Sequence, residues 1–413
     1  MRVVHTSDWH LGRQTYGVSR RPDLEAALEE VFDIARDFSP HLILHSGDLF
    51  ETSRPAVEDM KMAQEILQRM SALAPVVVIA GNHDSVALFE LFQALVGDDS
   101  RLRFIGTARS PGQGGVLDYP GEGREVARLA ALPFVHANRV VDALEHGPEV
   151  RTMTYADRIQ RIQMAYGQAL ERGYHPERHV LLFSAHLYVD GALWSRSERP
   201  LHVCETYATR VTQIPHVSYA AFGHIHRPQA LPGQVPGRYA GSPVGLDFGE
   251  EGEIKQVVRV EALPGRAARI EPVELRSGRK LLSLRGTMQQ LEARALDVRD
   301  ELLRVTIETD EPTPGLADWA KRLFPRATVL EVSERCAASR VTLVEASTEE
   351  IEHFETLADA FEAYLGENAP EDQDLLRVRD LFQGLLVESQ SQDERLPAEV
   401  EALERALGEG VAA

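Results

Sequence analysis

Short apolar runs alternate, over roughly the first 185 residues, with longer segments in which apolar residues recur every three or four positions. The short runs predict buried strands, and the longer segments predict amphipathic helices. We expect a loop over residues 110–123, which hold five glycines and two prolines, and helices near residues 23–38, 57–73, 85–95 and 155–172. Strands that alternate with helices in this way are typical of a layered α/β domain.

The pattern changes after about residue 217. Short apolar runs separated by Pro-Gly pairs continue to about residue 275, and we expect them to form a second sheet packed on the first. From about residue 280 the pattern predicts a small α/β unit, with strands over 281–285, 302–308, 327–332 and 340–344 and helices over 288–296 and 315–323. After residue 345, apolar residues recur at helical spacing. We therefore divide the chain into residues 1–275, 276–345 and 346–413.

Potential metal ligands lie where the predicted strands of the first unit end. Five strand ends present oxygen and imidazole donors together, and the seven residues are Asp8, His10, Asp48, Asn82, His186, His224 and His226. Residues i and i+2 of an extended segment point to the same side, so His224 and His226 can reach one site.

Donors of these types are suited to a centre with two divalent cations. Two such cations about 3.5 to 4 Å apart can activate a water, orient a phosphate and neutralise developing charge. Cations that close need a shared anionic ligand, and Asp48, in the middle of the series, is the candidate. A mixture of oxygen and nitrogen donors without thiolates suits Mn, Fe or Zn, and we favour Mn.

Each motif taken alone has a simpler explanation. A histidine near a strand end is usually solvated or hydrogen-bonded, and Gly-Asp after a strand is often only a turn. The segment Gly81-Asn82-His83-Asp84 is more specific, because Gly81 permits a tight turn with close approach of the backbone. All five motifs in order make chance a poor explanation.

The motifs resemble those of the calcineurin-like metallophosphoesterases, whose fold is a four-layer α/β/β/α sandwich. Two segments are similar in sequence to the SbcD family of bacterial nuclease subunits. They are Thr6-Ser7-Asp8-Trp9-His10-Leu11-Gly12 and Gly223-His224-Ile225-His226-Arg227-Pro228. The resemblance implies one metal held by Asp8, His10, Asp48 and His226, and a second held by Asp48, Asn82, His186 and His224. It further implies that His83 contacts the scissile phosphate and assists the leaving group, with Asp84 as its orienting partner.

Composition sets the broad class of the protein. No charged and apolar leader resembling a secretory signal is visible, and no apolar run approaches the roughly 20 residues of a membrane span. Two cysteines, Cys204 and Cys336, lie far apart and form no disulfide framework or cysteine metal motif. We expect a soluble cytoplasmic protein.

The net charge of −20 is unusual for a protein that binds DNA. The stretch from Glu345 to Ala413 carries 19 acidic residues against four arginines, so it accounts for 15 of those charges. Bound cations would offset part of the remainder. Arginines near the motifs could contact backbone phosphates, and Arg13 and Arg227 are the two candidates that we retain. The simpler explanation is that both are solvated surface residues.

The resemblance also suggests partners. In the family, the C-terminal helices grip the SbcC ATPase, so we predict that Phe382 and Leu385 contribute to SbcC binding. An acidic helical tail more often packs on its own domain, which is the alternative. Family members form homodimers through the nuclease domain, and these homodimers assemble with SbcC into heterotetramers. The capping domain of the family helps to bind DNA. No P-loop motif occurs, so we expect ATP hydrolysis in the partner.

The sequence therefore predicts a Mn-dependent DNA nuclease, acting as an exonuclease on duplex ends and as an endonuclease on hairpins or single strands. Two alternatives stay open. The first is a phosphodiesterase or phosphatase for small molecules, built on the same site, which would explain the acidic surface. The second is a non-catalytic scaffold of the same fold, although an intact set of seven donors argues against a vestigial site.

Overall fold

The computed structural model describes residues 1–135, 155–195 and 208–337. The chain divides after Arg340, and residues 341–413 lie outside the described part. The predicted tail, with Phe382 and Leu385, falls in that stretch, and the predicted strand over 340–344 also lies outside the described residues.

The first sheet is built around the N-terminal strand. Its six strands are β1 (Arg2–Thr6), β4 (Leu42–His45), β5 (Val76–Ile79), β6 (Leu102–Ile105), β15 (Gln256–Glu261) and β16 (Arg269–Glu274). Their order across the sheet is β16-β15-β1-β4-β5-β6. Neighbours from β1 to β6 pair in parallel, whereas β15 pairs antiparallel with both β1 and β16.

Three helices cover one face of this sheet. They are α1 (Arg21–Phe38), α2 (Val57–Leu73) and α3 (Val86–Val96). Leu28 of α1, Leu67 of α2 and Phe89 of α3 share one buried apolar cluster with Val4 and Ile43 of the sheet. The helices near residues 23–38, 57–73 and 85–95 are confirmed, because each has an apolar stripe that the sheet buries.

The second sheet carries the later half of the site. Its six strands, in the order β13-β14-β12-β9-β8-β7, are β7 (Val116–Pro120), β8 (Val126–Leu132), β9 (His179–His186), β12 (Tyr219–Gly223), β13 (Gln229–Ala230) and β14 (Gly237–Tyr239). The helix α4 (Tyr155–Glu171) packs on it, since Ile162 and Tyr166 share a buried cluster with Phe183 and Phe222.

The two sheets face each other across a separate apolar core. Leu44 and Val77 of the first sheet lie in one buried cluster with Leu129, Leu182 and Ala221 of the second. The layers therefore run helix, sheet, sheet, helix, which confirms the predicted α/β/β/α sandwich. Four short strands lie outside these sheets: β2 (Gln14–Thr15), β3 (Val18–Ser19), β10 (Tyr188–Val189) and β11 (Ala208–Thr209).

Two details of the predicted fold were wrong. Residues 110–123 were expected to be a loop, but they contain β7, which pairs antiparallel with β8 at the edge of the second sheet. The strands after residue 217 were all expected in one sheet. Instead, β15 and β16 return to the first sheet, where Val260 pairs with Val3. Partner choice of this kind depends on long-range pairing, which turn signals do not encode.

Residues 276–337 form a small unit that we call the capping module. Its elements are β17 (Leu281–Thr287), α5 (Met288–Arg294), β18 (Leu302–Thr309), α6 (Leu316–Leu323) and β19 (Thr328–Cys336). The three strands pair in parallel, and the module has its own apolar core around Leu291, Val305 and Phe324. Within the described residues, no helix is long and apolar enough to cross a membrane.

Candidate metal centre

The seven predicted ligands converge around Asp48. Ligand atoms of Asp8, His10, Asp48 and His226 lie within 4.8 Å of one another, and we call this group position A. Those of Asp48, His186 and His224 form a second group with the same spacing. Asn82 Oδ1 lies 3.0 Å from His186 Nε2 and 2.8 Å from His224 Nδ1, so it completes the group that we call position B. Asp48 belongs to both positions, as a bridging carboxylate would.

Glycines in the motifs allow this close approach. A Cβ atom at Gly47 would overlap the imidazole of His186, and one at Gly81 would overlap the carboxylate and backbone of Asp48. A Cβ atom at Gly223 would overlap the loop that follows β4. The glycines before Asp48, Asn82 and His224 are thus required because no side chain fits there.

Four predicted ligands adopt a left-handed backbone conformation. The φ angles are 51° at Asp8, 48° at His10, 53° at Asp48 and 99° at His224. Positive φ is uncommon for residues other than glycine, and such strain concentrates at functional sites. Backbone hydrogen bonds hold the loops in this shape, because the amide of Asp8 donates to Gly47 O at 3.0 Å and that of His10 to Asp48 O at 3.1 Å.

At position A, two imidazoles point the same ring atom at each other. His10 Nε2 lies 3.0 Å from His226 Nε2 and 3.6 Å from Asp48 Oδ2. His10 Nδ1 lies 2.9 Å from Glu51 Oε2, and His226 Nδ1 lies 3.1 Å from Glu250 Oε1. An ionised carboxylate only accepts hydrogen bonds, so each Nδ1 carries a proton, and the two Nε2 atoms are left facing each other.

This arrangement fits a cation. Asp8 Oδ2 is buried and has no hydrogen-bond partner among the described residues, although its other oxygen accepts from the backbone N–H of His224 at 3.0 Å. An unpaired buried carboxylate oxygen beside two imidazole nitrogens that face each other needs positive charge between them, which a proton or a bound cation can supply. Carboxylate oxygen and imidazole nitrogen are donors that Mn, Fe and Zn accept. The residues present therefore suit a divalent metal at position A.

At position B, acceptor atoms also point towards one another. His186 Nδ1 lies 2.8 Å from the carbonyl oxygen of Ser46, so this nitrogen is the donor. His186 Nε2 then faces two acceptors, Asn82 Oδ1 at 3.0 Å and Asp48 Oδ2 at 3.4 Å. Acceptors again converge on a common point, and all four residues of the group are buried.

The electrostatics of the cluster indicate the same demand for positive charge. Burial would lower the pKa of His186, but the carboxylate of Asp48 raises it to about 9. Burial would raise the pKa of Asp48, but His186 and His83 hold it well below its ordinary value. Burial raises the pKa of Asp8 to about 6. Protons and metal ions therefore compete for the same positions.

His83 lies beside position A. Its Nδ1 is 2.7 Å from the carbonyl oxygen of Glu51, its ring is 4.8 Å from that of His10, and its backbone N–H donates to Asp48 Oδ1 at 2.9 Å. It is only partly buried, so solvent reaches it.

The carboxylate of Asp84 braces the loops beneath the site. It accepts backbone N–H groups of Leu49, Phe50 and Gly81 at 3.1, 2.9 and 2.8 Å. His83 Nδ1 thus donates its orienting hydrogen bond to the Glu51 carbonyl, whereas Asp84 was predicted to be the orienting partner. Burial, followed by the negative charge of Asp48, raises the pKa of Asp84 to about 7.

Sequence reasoning missed Glu51 and Glu250, the carboxylates that hold His10 and His226. Glu51 lies three residues after Asp48, and that proximity to a motif was a usable signal. Glu250 lies 24 residues from His226 in no recognised motif, so only the fold brings the two together.

The two arginines proposed to contact DNA differ in their surroundings. Arg13 Nη1 donates to Glu51 Oε1 at 2.9 Å, and its side chain is only 21% exposed. Arg227 follows His226 directly and is exposed. The structure thus gives Arg13 a supporting contact within the site and leaves Arg227 on the surface at its rim.

The chain is similar to proteins of a known family. The family model described as calcineurin-like phosphoesterase matches residues 1–228. The SbcD subunit of the SbcCD nuclease from Bacillus subtilis is 31% identical over 290 residues, which cover 68% of this chain and 71% of that protein.

Two further relatives carry the same name. The protein from Escherichia coli K12 is 29% identical over 375 residues, covering 85% of this chain and 91% of the relative. The protein from Rhodobacter capsulatus is 29% identical over 290 residues, covering 66% of this chain and 69% of the relative. With a family model over more than half of its length and relatives that match along most of theirs, the chain belongs to the calcineurin-like phosphoesterases and, within them, to the SbcD nuclease subunits.

Proposed function

We propose that the chain is a two-metal DNA nuclease that hydrolyses phosphodiester bonds, with Mn²⁺ as the working metal. The observation that carries the proposal is the convergence of seven oxygen and nitrogen donors on two positions that share Asp48. The nuclease activity is proposed because the relatives are named as nuclease subunits. We expect exonuclease action on duplex ends and endonuclease action on hairpins or single strands.

In this proposal, Asp8, His10, Asp48 and His226 hold one cation, and Asp48, Asn82, His186 and His224 hold the other. Bound there, the pair would supply a Lewis acid for the phosphate and an activated water. The surrounding loops keep the donors in place through the backbone contacts described above.

The chain's own contribution to the leaving group comes from His83. With Nδ1 on the Glu51 carbonyl, the ring is oriented so that Nε2 can face the substrate. An imidazolium proton at Nε2 can then pass to the departing alkoxide oxygen. Arg227, exposed beside His226, is suited to contact a backbone phosphate, and Arg13 is the weaker candidate because Glu51 already pairs with it.

We further propose that an SbcC ATPase is the partner and that the acidic stretch 346–413 binds it in the cytoplasm. The support is the SbcCD complex for which the relatives are named and the helical spacing of apolar residues in this stretch. Replacing Phe382 and Leu385 with Asp should abolish co-purification with SbcC and leave metal-dependent cleavage of a small diester intact. Unchanged SbcC binding by the double variant would contradict the proposal.

A homodimer is also proposed, through helix α3. Nine of its eleven residues are apolar, yet only Phe89 is buried, while Leu91 and Leu95 are 52% and 74% exposed. An apolar helix face of this kind is a common dimer surface. With SbcC the assembly would be a heterotetramer.

The test is cleavage of an end-labelled linear duplex, a closed circular duplex and bis-p-nitrophenyl phosphate, with Mn²⁺, Mg²⁺ or Zn²⁺, and with or without SbcC and ATP. We expect Mn²⁺-dependent degradation of the linear duplex that SbcC and ATP increase. Turnover of the small ester alone would favour the small-molecule phosphodiesterase. No turnover and no bound metal would favour the scaffold.

A further inference from the structure

One segment, with Leu246, Phe248 and Glu250 buried, joins position A to the capping module. We infer that Glu250 is a positioning residue for His226, and that the capping module sets the metal affinity of position A by holding residues 245–251, which we call the linking segment. The inference rests on the proposed metal centre. It concerns a residue that contacts no substrate and acts through His226.

Glu250 is fixed by hydrogen bonds on both oxygens. Its Oε1 lies 3.1 Å from His226 Nδ1. Its Oε2 accepts from Lys255 Nζ at 2.5 Å, from Ser242 Oγ at 3.1 Å and from the backbone N–H of Leu246 at 3.2 Å. The residue is 2% exposed, so water does not compete for these contacts. A carboxylate held this way fixes the ring orientation and proton position of a metal-binding imidazole.

Lys255 holds the other end of the same histidine. Its ammonium group donates to the backbone carbonyl of His226 at 3.1 Å and also to Glu253 at 3.0 Å. His226 is therefore held at its ring by Glu250 and at its backbone by Lys255. The Nε2 atom of His226 has little freedom to move unless this pair moves.

The linking segment is held on its other side by the capping module. The backbone N–H of Ser283 in β17 donates to Glu251 Oε1 at 2.8 Å. Phe248 shares a buried apolar cluster with Leu281 and Leu302 of the module, and the Arg304 guanidinium lies 4.5 Å from the centre of its ring. Residues 248 and 251 therefore contact the module, while residue 250, between them, contacts the metal ligand.

A buried arginine secures the start of the segment. Arg20 donates to the backbone carbonyl of Gly245 and, at 3.1 Å, to that of Arg279. Its side chain is fully buried. Packed interiors transmit displacements instead of absorbing them. A shift of the module should therefore reach Glu250 and change the orientation of the His226 ring.

The test uses backgrounds that leave one metal position intact. In an Asn82→Ala chain, only position A keeps all its donors, and we expect Glu250→Gln to weaken Mn²⁺ binding about 10- to 100-fold by titration calorimetry. In a His10→Ala chain, only position B is complete, and the same change should have no effect. Glu253→Gln is the matched control, since Glu253 shares Lys255 but contacts Ser195 in place of His226.

The role of the module is tested by Arg304→Met, which keeps side-chain length and removes the guanidinium group that lies over the ring of Phe248. Binding at position A should weaken, by less than in Glu250→Gln, and position B should be unaffected. Equal affinity of Glu250→Gln and its parent would overturn the positioning role. An effect of Glu250→Gln with none of Arg304→Met would overturn the coupling alone. If the unaltered chain binds no Mn²⁺, the proposed function itself fails.

Discussion

Individual glycines decide how closely the ligands approach one another. Gly47 and Gly81 lie where a single added methyl group would overlap His186 or Asp48. Asp48 is the shared residue of positions A and B, so its placement affects both. These glycines bind no metal, yet the site depends on them as strictly as it depends on the ligands.

The first prediction concerns Gly81→Ala. The new methyl group would push the Asp48 carboxylate from its place, and a misplacement of about 1 Å can lower turnover about 100-fold. We expect a loss of this size in Mn²⁺-dependent hydrolysis of bis-p-nitrophenyl phosphate, together with weaker metal binding. Gly112→Ala is the control, because open space surrounds that position. Full activity in Gly81→Ala would contradict the close-approach argument.

A second prediction separates metal binding from proton transfer. His83→Ala should keep both metal positions occupied, because His83 contributes no donor to position A or B as we define them. Turnover should fall about 100- to 10,000-fold, the usual contribution of a general acid. Metal content and steady-state rates are measured on the same preparation. A parallel loss of bound metal would make His83 a ligand.

The start of helix α1 joins the sandwich to the capping module through an ion cluster centred on the buried Asp23. Arg20 Nε donates to Asp23 Oδ2 at 2.8 Å, and Arg279 donates to the same oxygen at 2.9 Å. Burial opposes ionisation of Asp23, but hydrogen bonds from Arg279 and Arg20 lower its pKa below the ordinary value. The contact therefore stabilises the ionised carboxylate in the folded state.

The third prediction is that Asp23→Asn destabilises the protein by about 3 kcal/mol at pH 7, because Arg20 is left buried without its counter-charge. The lowered pKa means that this stabilisation is present above the ordinary aspartate range and is lost as pH falls through the folded pKa. Thermal melts at pH 7 and pH 3 should show a smaller difference from wild type at pH 3. Asp33→Asn, in an exposed pair with Arg36, should cost under about 1 kcal/mol. A difference that grows with acidity would contradict the assignment.

The elements differ in how well the sequence predicts them. Helix α2 was predicted at its observed bounds, since its apolar stripe is periodic and the first sheet buries it. Strand β7 was missed because glycines and prolines surround it, and its pairing with β8 outweighs local preference. Strand β15 was assigned to the wrong sheet, because its partner β1 lies some 250 residues earlier.

The same distinction applies to the metal centre. Its seven candidate donors could be found because each follows a strand in a short motif. Glu250 could not, since one glutamate in an acidic stretch with Glu251 and Glu253 is ordinary, and its contact with His226 is made by folding. Asp84 lies beside His83 in sequence, but its hydrogen bonds run to the backbone of the Asp48 loop. Neighbours in sequence need not be partners in the fold.

At the scale of the whole molecule, the exposed apolar face of α3 is the surface through which we propose that the chain dimerises. The fourth prediction is that Leu91→Glu with Leu95→Glu converts a dimer into a monomer, measured by sedimentation or light scattering. Cleavage of the small diester should persist, since neither residue belongs to position A or B. Met164→Glu, at a site 53% exposed on α4, is the control. A wild-type monomer would contradict the proposed dimer.

Two metals bound on either side of Asp48 are the central feature of the proposed site. Crystals of the full chain grown with Mn²⁺ would test it by anomalous diffraction at the manganese edge. We predict two peaks about 3.5 to 4 Å apart, one among Asp8, His10 and His226 and the other among Asn82, His186 and His224, with the Asp48 carboxylate between them. A single peak, or none at these residues, would contradict the two-metal centre.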